Sequence, residues 1–183
     1  ETEAIVLDVR SEQEFAKGHI PRSIFIGLKG DFAPWVGALI ADVSQTILLV
    51  APKGQEKEAV TRLSRVGFDQ TIGYLKGGFE TWKKEGKETD NLSSIPAEKL
   101  KKELSDKETA VFDVRKESEH NAEHLPQSVN TPLGAINEHL SAFPDNKTFY
   151  LSCAGGYRSV IAASMLKSRG IHNLVDVGGG FDA

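Results

Sequence analysis

Short, almost wholly apolar runs alternate along this chain with helix-forming stretches, and polar turns separate them. In the first half, residues 4–9, 24–26, 47–50 and 72–74 read as strands; in the second, residues 110–114, 128–130, 148–151 and 174–177 do. Strands apolar on both faces belong to sheets covered on both sides, so the pattern predicts an α/β fold with a mostly parallel sheet. Between the strands, Ser11-Glu12-Gln13-Glu14 is a capping box that opens a short helix, and Gly18 stops it. Further helices are expected over 33–40 after Asp31, over 56–65 with Ala59, Val60, Leu63 and Val66 inward and Gly67 beyond, and over 79–84, packed by Trp82. In the second half, Ser94-Ile95-Pro96 reads as the start of a helix running to about Leu104, and helices follow over 117–122, 134–140 and 159–168.

The same ordered signals occur twice. Ile5-Val6-Leu7-Asp8-Val9-Arg10 matches Ala110-Val111-Phe112-Asp113-Val114-Arg115, and Gly18-His19-Ile20-Pro21 matches Glu123-His124-Leu125-Pro126. Later, Thr46-Ile47-Leu48-Leu49-Val50 matches Thr148-Phe149-Tyr150-Leu151-Ser152, and Lys76-Gly77-Gly78-Phe79 matches Gly178-Gly179-Gly180-Phe181. Units this long are folds in their own right rather than turns of a solenoid. The expected domains are residues 1–88 and 95–183, joined by a polar linker over 86–94. Copy one lacks an opening helix, and copy two lacks a closing one.

With 183 residues, each copy has about ninety, enough for a small core. The net charge of −4 comes without a long single-sign run, which argues against nucleic acid or a membrane surface as a partner. No apolar run approaches the ~20 residues of a membrane span. The single cysteine cannot form an internal disulfide, which fits a reducing, cytoplasmic setting and leaves the thiol free. The chain opens on a strand-like run without an initiator Met, and it reads as a piece of something longer.

That cysteine is where chemistry is expected. Cys153-Ala154-Gly155-Gly156-Tyr157-Arg158-Ser159 joins an apolar strand to a helix, so unpaired N–H groups and the positive helix end point into the loop. Gly155 and Gly156 let successive amides turn inward as an anion nest around the sulfur. Helix N-termini and a nearby arginine favour the thiolate, the nucleophilic form. Arg158 adds a planar fork suited to an oxyanion. In copy one the same place reads Ala51-Pro52-Lys53-Gly54-Gln55-Glu56, with no nucleophile and an acid instead of the arginine.

Taken together, the Asp-Val-Arg strand ends, the His-[Ile/Leu]-Pro turns, the Cys-Ala-Gly-Gly-Tyr-Arg-Ser loop and the Gly-Gly-Phe signals resemble the rhodanese sulfurtransferases. The resemblance implies two tandem rhodanese-like domains, each a parallel sheet of about five strands flanked by helices, the first inactive and the second active-type. It further implies that Cys153 takes the outer sulfur of thiosulfate or a persulfide and passes it to a thiol or cyanide. Arg158 would orient the donor, with the amides of Ala154, Gly155, Gly156, Tyr157 and Ser159 holding the terminal sulfur. Asp113, Arg115 and His124 recur in copy one without the chemistry, so their expected role is structural support.

Asp31-Phe32-Ala33-Pro34-Trp35-Val36-Gly37-Ala38-Leu39 resembles a stretch in proteins that fuse a metallo-β-lactamase-type persulfide dioxygenase domain to rhodanese modules. On that resemblance, iron belongs to an upstream domain, and this chain needs no cofactor or metal of its own. Partners implied are small sulfur anions, low-molecular-weight thiols and that upstream domain; a homo-oligomer is compatible with the sequence. His120-Asn121-Ala122-Glu123-His124 matches an inverted zinc-protease motif, but a short helix running into Leu125-Pro126 is a poor platform for it. Two rival readings are a non-catalytic sulfur carrier or interaction module, and a phosphatase of the same fold. The phosphatase loop has five residues between Cys and Arg, where this one has Ala154 to Tyr157 alone.

Overall fold

The computed structural model describes residues 3–104 and 109–182; Glu1, Thr2 and Ala183, where the sequence pattern starts and stops, and residues 105–108 lie outside it. The chain divides into two compact units, Glu1–Asn91 and Leu92–Ala183. The first runs β1 (Ile5–Asp8), α1 (Glu12–Lys17), β2 (Ile24–Phe25), α2 (Phe32–Leu39), β3 (Ile47–Val50), α3 (Glu56–Ser64), β4 (Thr71–Tyr74) and α4 (Gly78–Lys84). Its strands form a parallel sheet in the order β2-β1-β3-β4. The second runs β5 (Ser94–Pro96), α5 (Ala97–Glu103), β6 (Ala110–Asp113), α6 (Glu117–Ala122), β7 (Ser128–Asn130), β8 (Phe149–Ser152), α7 (Tyr157–Ser168) and β9 (Leu174–Gly178). Its parallel sheet has the order β5-β9-β8-β6-β7. The architecture is α/β, two parallel sheets flanked by helices.

The order explains why one sheet has four strands and the other five. Strands β7-β6-β8-β9 repeat β2-β1-β3-β4, and β5 adds an edge beyond β9 that has no counterpart among the described residues of unit 1. The sequence pattern makes Ser94-Ile95-Pro96 the start of a helix. Pro96 instead stays extended (φ −70°, ψ 156°), and these residues pair with Asp176, Val177 and Gly178 before α5 begins. An edge strand tolerates a proline because one side of it needs no ladder donor.

Two other expectations change. Residues 134–140 form 3₁₀ turns, Leu133–Glu138 and Leu140–Ala142, rather than an α-helix. Leu133 and Ile136 are the buried pair, and a three-residue spacing suits three residues per turn. Val60 is 38% exposed, not inward: the buried stripe of α3 is Ala59 and Leu63, one turn apart, and Val60 lies beside it. The capping box at Ser11 is present with both of its bonds, and Gly18 caps the end of α1.

Each sheet end is braced in the same way. Asp8 and Arg10 in unit 1, and Asp113 and Arg115 in unit 2, are buried ion pairs at 2.6 and 2.7 Å. Arg10 also donates to the Gly18 carbonyl and lies over the Phe79 ring; Arg115 donates to the Glu123 carbonyl and lies over Phe181. One guanidinium thus ties the end of a strand to the end of the next helix and to the Gly-Gly-Phe turn. Burial raises the Asp8 pKa, and its hydrogen bonds with Arg10 oppose the rise.

Removing one charge from such a pair leaves the other buried alone, which costs about 3–5 kcal/mol. Asp8→Asn should therefore lower the urea midpoint of unit 1 by about 1 M or more. Both tryptophans, Trp35 and Trp82, lie in unit 1, so their fluorescence reads that transition directly.

Candidate active site

In unit 2, β6 runs on to β7 in one direction across the sheet and β8 to β9 in the other, so the order reverses between β6 and β8. Loops leaving the carboxyl ends of such strands border a crevice, the usual ligand position in open α/β sheets. Asp113-Val114-Arg115 leaves β6 there, and Cys153 follows β8 directly.

Cys153 is 1% exposed, but its sulfur faces polar groups. The Gly156 N–H donates to Sγ at 3.1 Å, and the Ser159 hydroxyl oxygen lies 3.5 Å from it. Gly156 is the N-cap of α7 at φ +92°, a left-handed conformation that glycine adopts without strain. The helix begins at Tyr157, two residues earlier than the sequence pattern suggests, so Arg158 and Ser159 sit in its first turn. Residues Ser159 to Lys167 are all buried, which fixes this helix in the core on every side.

The far wall of the loop is the 3₁₀ turn Gly180–Asp182. Phe181 N–H donates to the Cys153 carbonyl at 2.7 Å, and Asp182 N–H to the Ala154 carbonyl at 3.1 Å. Gly180 (φ +65°) passes so close that a Cβ there would meet those two carbonyl oxygens at 2.3 and 2.2 Å. In a trans peptide the N–H points opposite to the C=O. Holding both carbonyls outward therefore turns the N–H groups of Ala154 and Gly155 to the other side.

Arg158 is engaged by a residue that sequence reasoning missed. Its Nη1 and Nη2 donate to Glu119 Oε2 and Oε1 at 2.6 and 2.8 Å, a bidentate pair. That bond holds the Glu119 carboxyl down at about 2. The Glu119 bond and, more weakly, the charge of Cys153 raise the Arg158 pKa against its desolvation. A signal for Glu119 was present: it occupies the third position of α6, as Glu14 does in the capping box of α1. Asp176 was missed as well. It lies on β9, 4% exposed, and its Oδ2 accepts from Ser94 at 3.1 Å while Oδ1 has no hydrogen-bond partner. Burial pushes its pKa up to about 6, with Ser159 and Ser94 opposing the rise.

The remaining sequence candidates fall around this centre. Ala154 and Tyr157 are half-buried and Gly155 is exposed. His124 is exposed, with Nδ1 2.7 Å from the His120 carbonyl oxygen and its ring stacked on that of His120. His120 Nε2 is 3.1 Å from the Ser128 hydroxyl. An apolar cavity of about 540 Å³ opens beside Ser152, lined by Leu100, Leu104, Leu125, Val177 and Phe181. In unit 1 a hollow of about 480 Å³ lies at the position equivalent to the Cys153 loop, lined by Arg10, Glu14, Ala51, Lys53, Glu56 and Lys76.

A family model described as the rhodanese-like domain matches residues 1–85 and 96–183. The "Putative sulfur carrier protein YrkF" of Bacillus subtilis is 32% identical over 93 residues, 49% of this chain and 50% of that protein. The "Adenylyltransferase and sulfurtransferase uba4" of Ogataea parapolymorpha is 40% identical over 72 residues, 38% of this chain and 18% of that protein. A crystal structure of a rhodanese-like domain protein from Staphylococcus aureus aligns with a TM-score of 0.48 at 33% identity, covering 50% of this chain and 90% of that one. The matched regions span half or less of these two curated relatives.

Gly180→Ala should cost more than about 4 kcal/mol or prevent unit 2 from folding, since both the φ and the carbonyl contacts resist a Cβ. Gly78→Ala, at φ +67° with its nearest neighbour 3.8 Å away, should cost only the backbone strain, about 1–2 kcal/mol. Equal shifts in thermal melting would contradict this geometry.

Asp176 has a second, pH-dependent signature. Its pKa is raised from 3.8 to about 6, so the folded chain retains a proton that the unfolded chain has released. The stability penalty of ionising it is absent below the lower value, grows between the two and is constant above. Asp176→Asn removes the penalty, so its gain in stability should be near zero at about pH 4. It should rise to a plateau of order 2–3 kcal/mol above about pH 7 in far-ultraviolet dichroism melts.

Proposed function

The chain belongs to the rhodanese-like domain family through both of its halves, and on that footing we propose that it is a sulfurtransferase whose second unit carries sulfane sulfur on Cys153. The observation that carries this reading is the sulfur itself, set at the N-terminus of α7 and accepting the Gly156 N–H at 3.1 Å. A thiol buried among hydrocarbon would be inert, whereas this sulfur faces an amide, a hydroxyl and a helix N-terminus.

The Cys153 thiolate attacks the outer sulfur of thiosulfate or a low-molecular-weight persulfide. A new S–S bond forms to Cys153 as the donor's S–S bond breaks, and sulfite or a thiolate leaves with the electron pair. The terminal sulfur of the Cys153 persulfide carries the negative charge, which the loop amides of Ala154 to Ser159 stabilise as an oxyanion hole stabilises oxygen. A thiol or cyanide then takes that sulfur and returns the thiolate in a ping-pong cycle. Arg158 orients an anionic donor, with Glu119 offsetting its charge and fixing the plane of its guanidinium. Asp113, Arg115 and His124 hold the surrounding turns.

Unit 1 lacks this chemistry in our reading. Ala51 stands where the sulfur would be, and Glu56 and Glu14 put two acids where unit 2 has Arg158 and Glu119. It serves as a structural or docking module. The Asp31–Leu39 stretch supports a place beside a metallo-β-lactamase-fold persulfide dioxygenase domain, which would hold its own iron. The lone cysteine supports a cytoplasmic setting.

A second reading, in which the chain carries sulfur without turning it over, is favoured by the name of the Bacillus subtilis relative. Incubation with thiosulfate and cyanide should release thiocyanate, and intact mass after thiosulfate alone should rise by one sulfur atom. Both signals should vanish in Cys153→Ser, and an aryl phosphate should remain uncleaved. Mass gain without thiocyanate selects the carrier reading; phosphate release without either overturns the proposal.

A further inference from the structure

Glu119 has a structural duty at the third position of α6, where its Oε2 accepts the Lys116 N–H at 3.1 Å and closes the start of the helix. Glu14 does the same in unit 1, accepting the Ser11 N–H at 3.1 Å and the Ser11 hydroxyl at 2.6 Å. In unit 2 the capping residue is a lysine with no hydroxyl to give, and the carboxylate turns to Arg158. Capping explains an acid at this position; it does not explain the second contact.

That contact changes what an incoming anion meets. Arg158 stands two residues beyond Gly156, whose N–H reaches the sulfur, and both of its Nη atoms face Glu119. Arg115 is likewise held by Asp113 at 2.7 Å. Two cations are thus matched by two carboxylates, and the thiolate adds a negative charge of its own. A guanidinium has more N–H bonds than one carboxylate takes, so Arg158 still orients an oxygen while attracting charge weakly. The side chains of Arg158 and Glu119 are 18% and 35% exposed, so water screens the pair only in part.

We propose that Glu119 is a specificity-determining residue that selects the charge of the sulfur donor. It disfavours a dianion such as thiosulfate and favours persulfides or thiosulfonates of one net negative charge or none. Coulomb energy scales with the product of the charges, so what Glu119 costs a monoanion it costs a dianion twice over. Discrimination lies in binding, because the outer sulfur is attacked in the same way in every donor. Glu119 exerts it across the neutral range, its carboxyl being held down at about 2 by the bond to Arg158.

The choice of donor rests on the transferase reading, but the first test needs no transfer. Sulfate and methanesulfonate are both tetrahedral, differ by one charge and hold no sulfane sulfur. Titrated calorimetrically into the full chain at constant ionic strength, wild type should bind methanesulfonate at least as tightly as sulfate. In Glu119→Gln, sulfate should bind about 10-fold and methanesulfonate about 3-fold more tightly than in wild type. Glutamine keeps an oxygen for the Lys116 N–H; Glu119→Ala gives up that bond too and should show the same order of gains. In the cyanide assay, Glu119→Gln should lower KM about 10-fold for thiosulfate and about 3-fold for methanethiosulfonate, with each kcat within a factor of about two. Equal gains for the two anions overturn the proposal, since Glu119 would then act only on the geometry of Arg158. Unchanged or weaker sulfate binding overturns it as well, and so does a wild-type preference for sulfate, even if neither variant folds. Should wild type form no thiocyanate, the transferase reading fails while the binding ratio still decides this one.

Discussion

Everything in unit 2 that resembles chemistry depends on two backbone hydrogen bonds, from Phe181 and Asp182 to the carbonyls of Cys153 and Ala154. A loop of this size left to itself would turn its carbonyls and amides in mixed directions, and mixed dipoles hold no anion. Tying two carbonyls to the Gly180 turn sorts them: oxygens face the turn, and the following amides face away from it. The brace of Arg115 supports that arrangement from below, since its guanidinium lies over the ring of Phe181, whose own amide makes the first of the two bonds. Thus a strand end, a helix end and a glycine turn converge on one sulfur.

Unit 1 separates the frame from the chemistry. It keeps the buried Asp-x-Arg pair, the cation over a phenylalanine ring, and a histidine whose Nδ1 faces the carbonyl four residues before it. Its loop, residues 51–55 against 153–156, is one residue longer before the helix starts, and Gly54 holds a positive φ as Gly156 does. What differs are the side chains placed on that frame: alanine at the cysteine position and glutamate at that of the arginine. The two halves of this chain therefore show that the frame is self-sufficient as a fold, stabilised by a buried ion pair that does not need the nucleophile.

How much of this the sequence revealed follows from the range of each interaction. Strands 47–50 and 128–130, helix 117–122 and the Ser11 capping box are set by neighbours within a few residues, and their residues announce them. Ser94–Pro96 was misread because a proline before a helix former looks like a helix start, while its pairing partner, β9, lies about eighty residues away. The 3₁₀ turns at 133–142 were misread because period three and period 3.6 are alike over six residues. Cys153 and Arg158 could be singled out from their loop alone. Glu119 and Asp176 could not, since each matters for what it meets across the fold: one a guanidinium from another helix, the other the Ser94 hydroxyl on a strand about eighty residues away.

The helix behind the sulfur has a consequence of its own. With Ser159 to Lys167 buried without a break, α7 cannot tilt or slide without opening the interior of unit 2. An atom gained and later lost at Cys153 would cause no shift in its mounting, so little energy is spent on rearranging the surroundings during each exchange. In the proposed cycle, adaptation to reactants of different bulk would fall to the rim, where a Cβ on Gly155 would meet nothing within 4 Å. Such a division, an immobile seat with a yielding edge, suits a group that must hold one small anion tightly and accept visitors of several shapes.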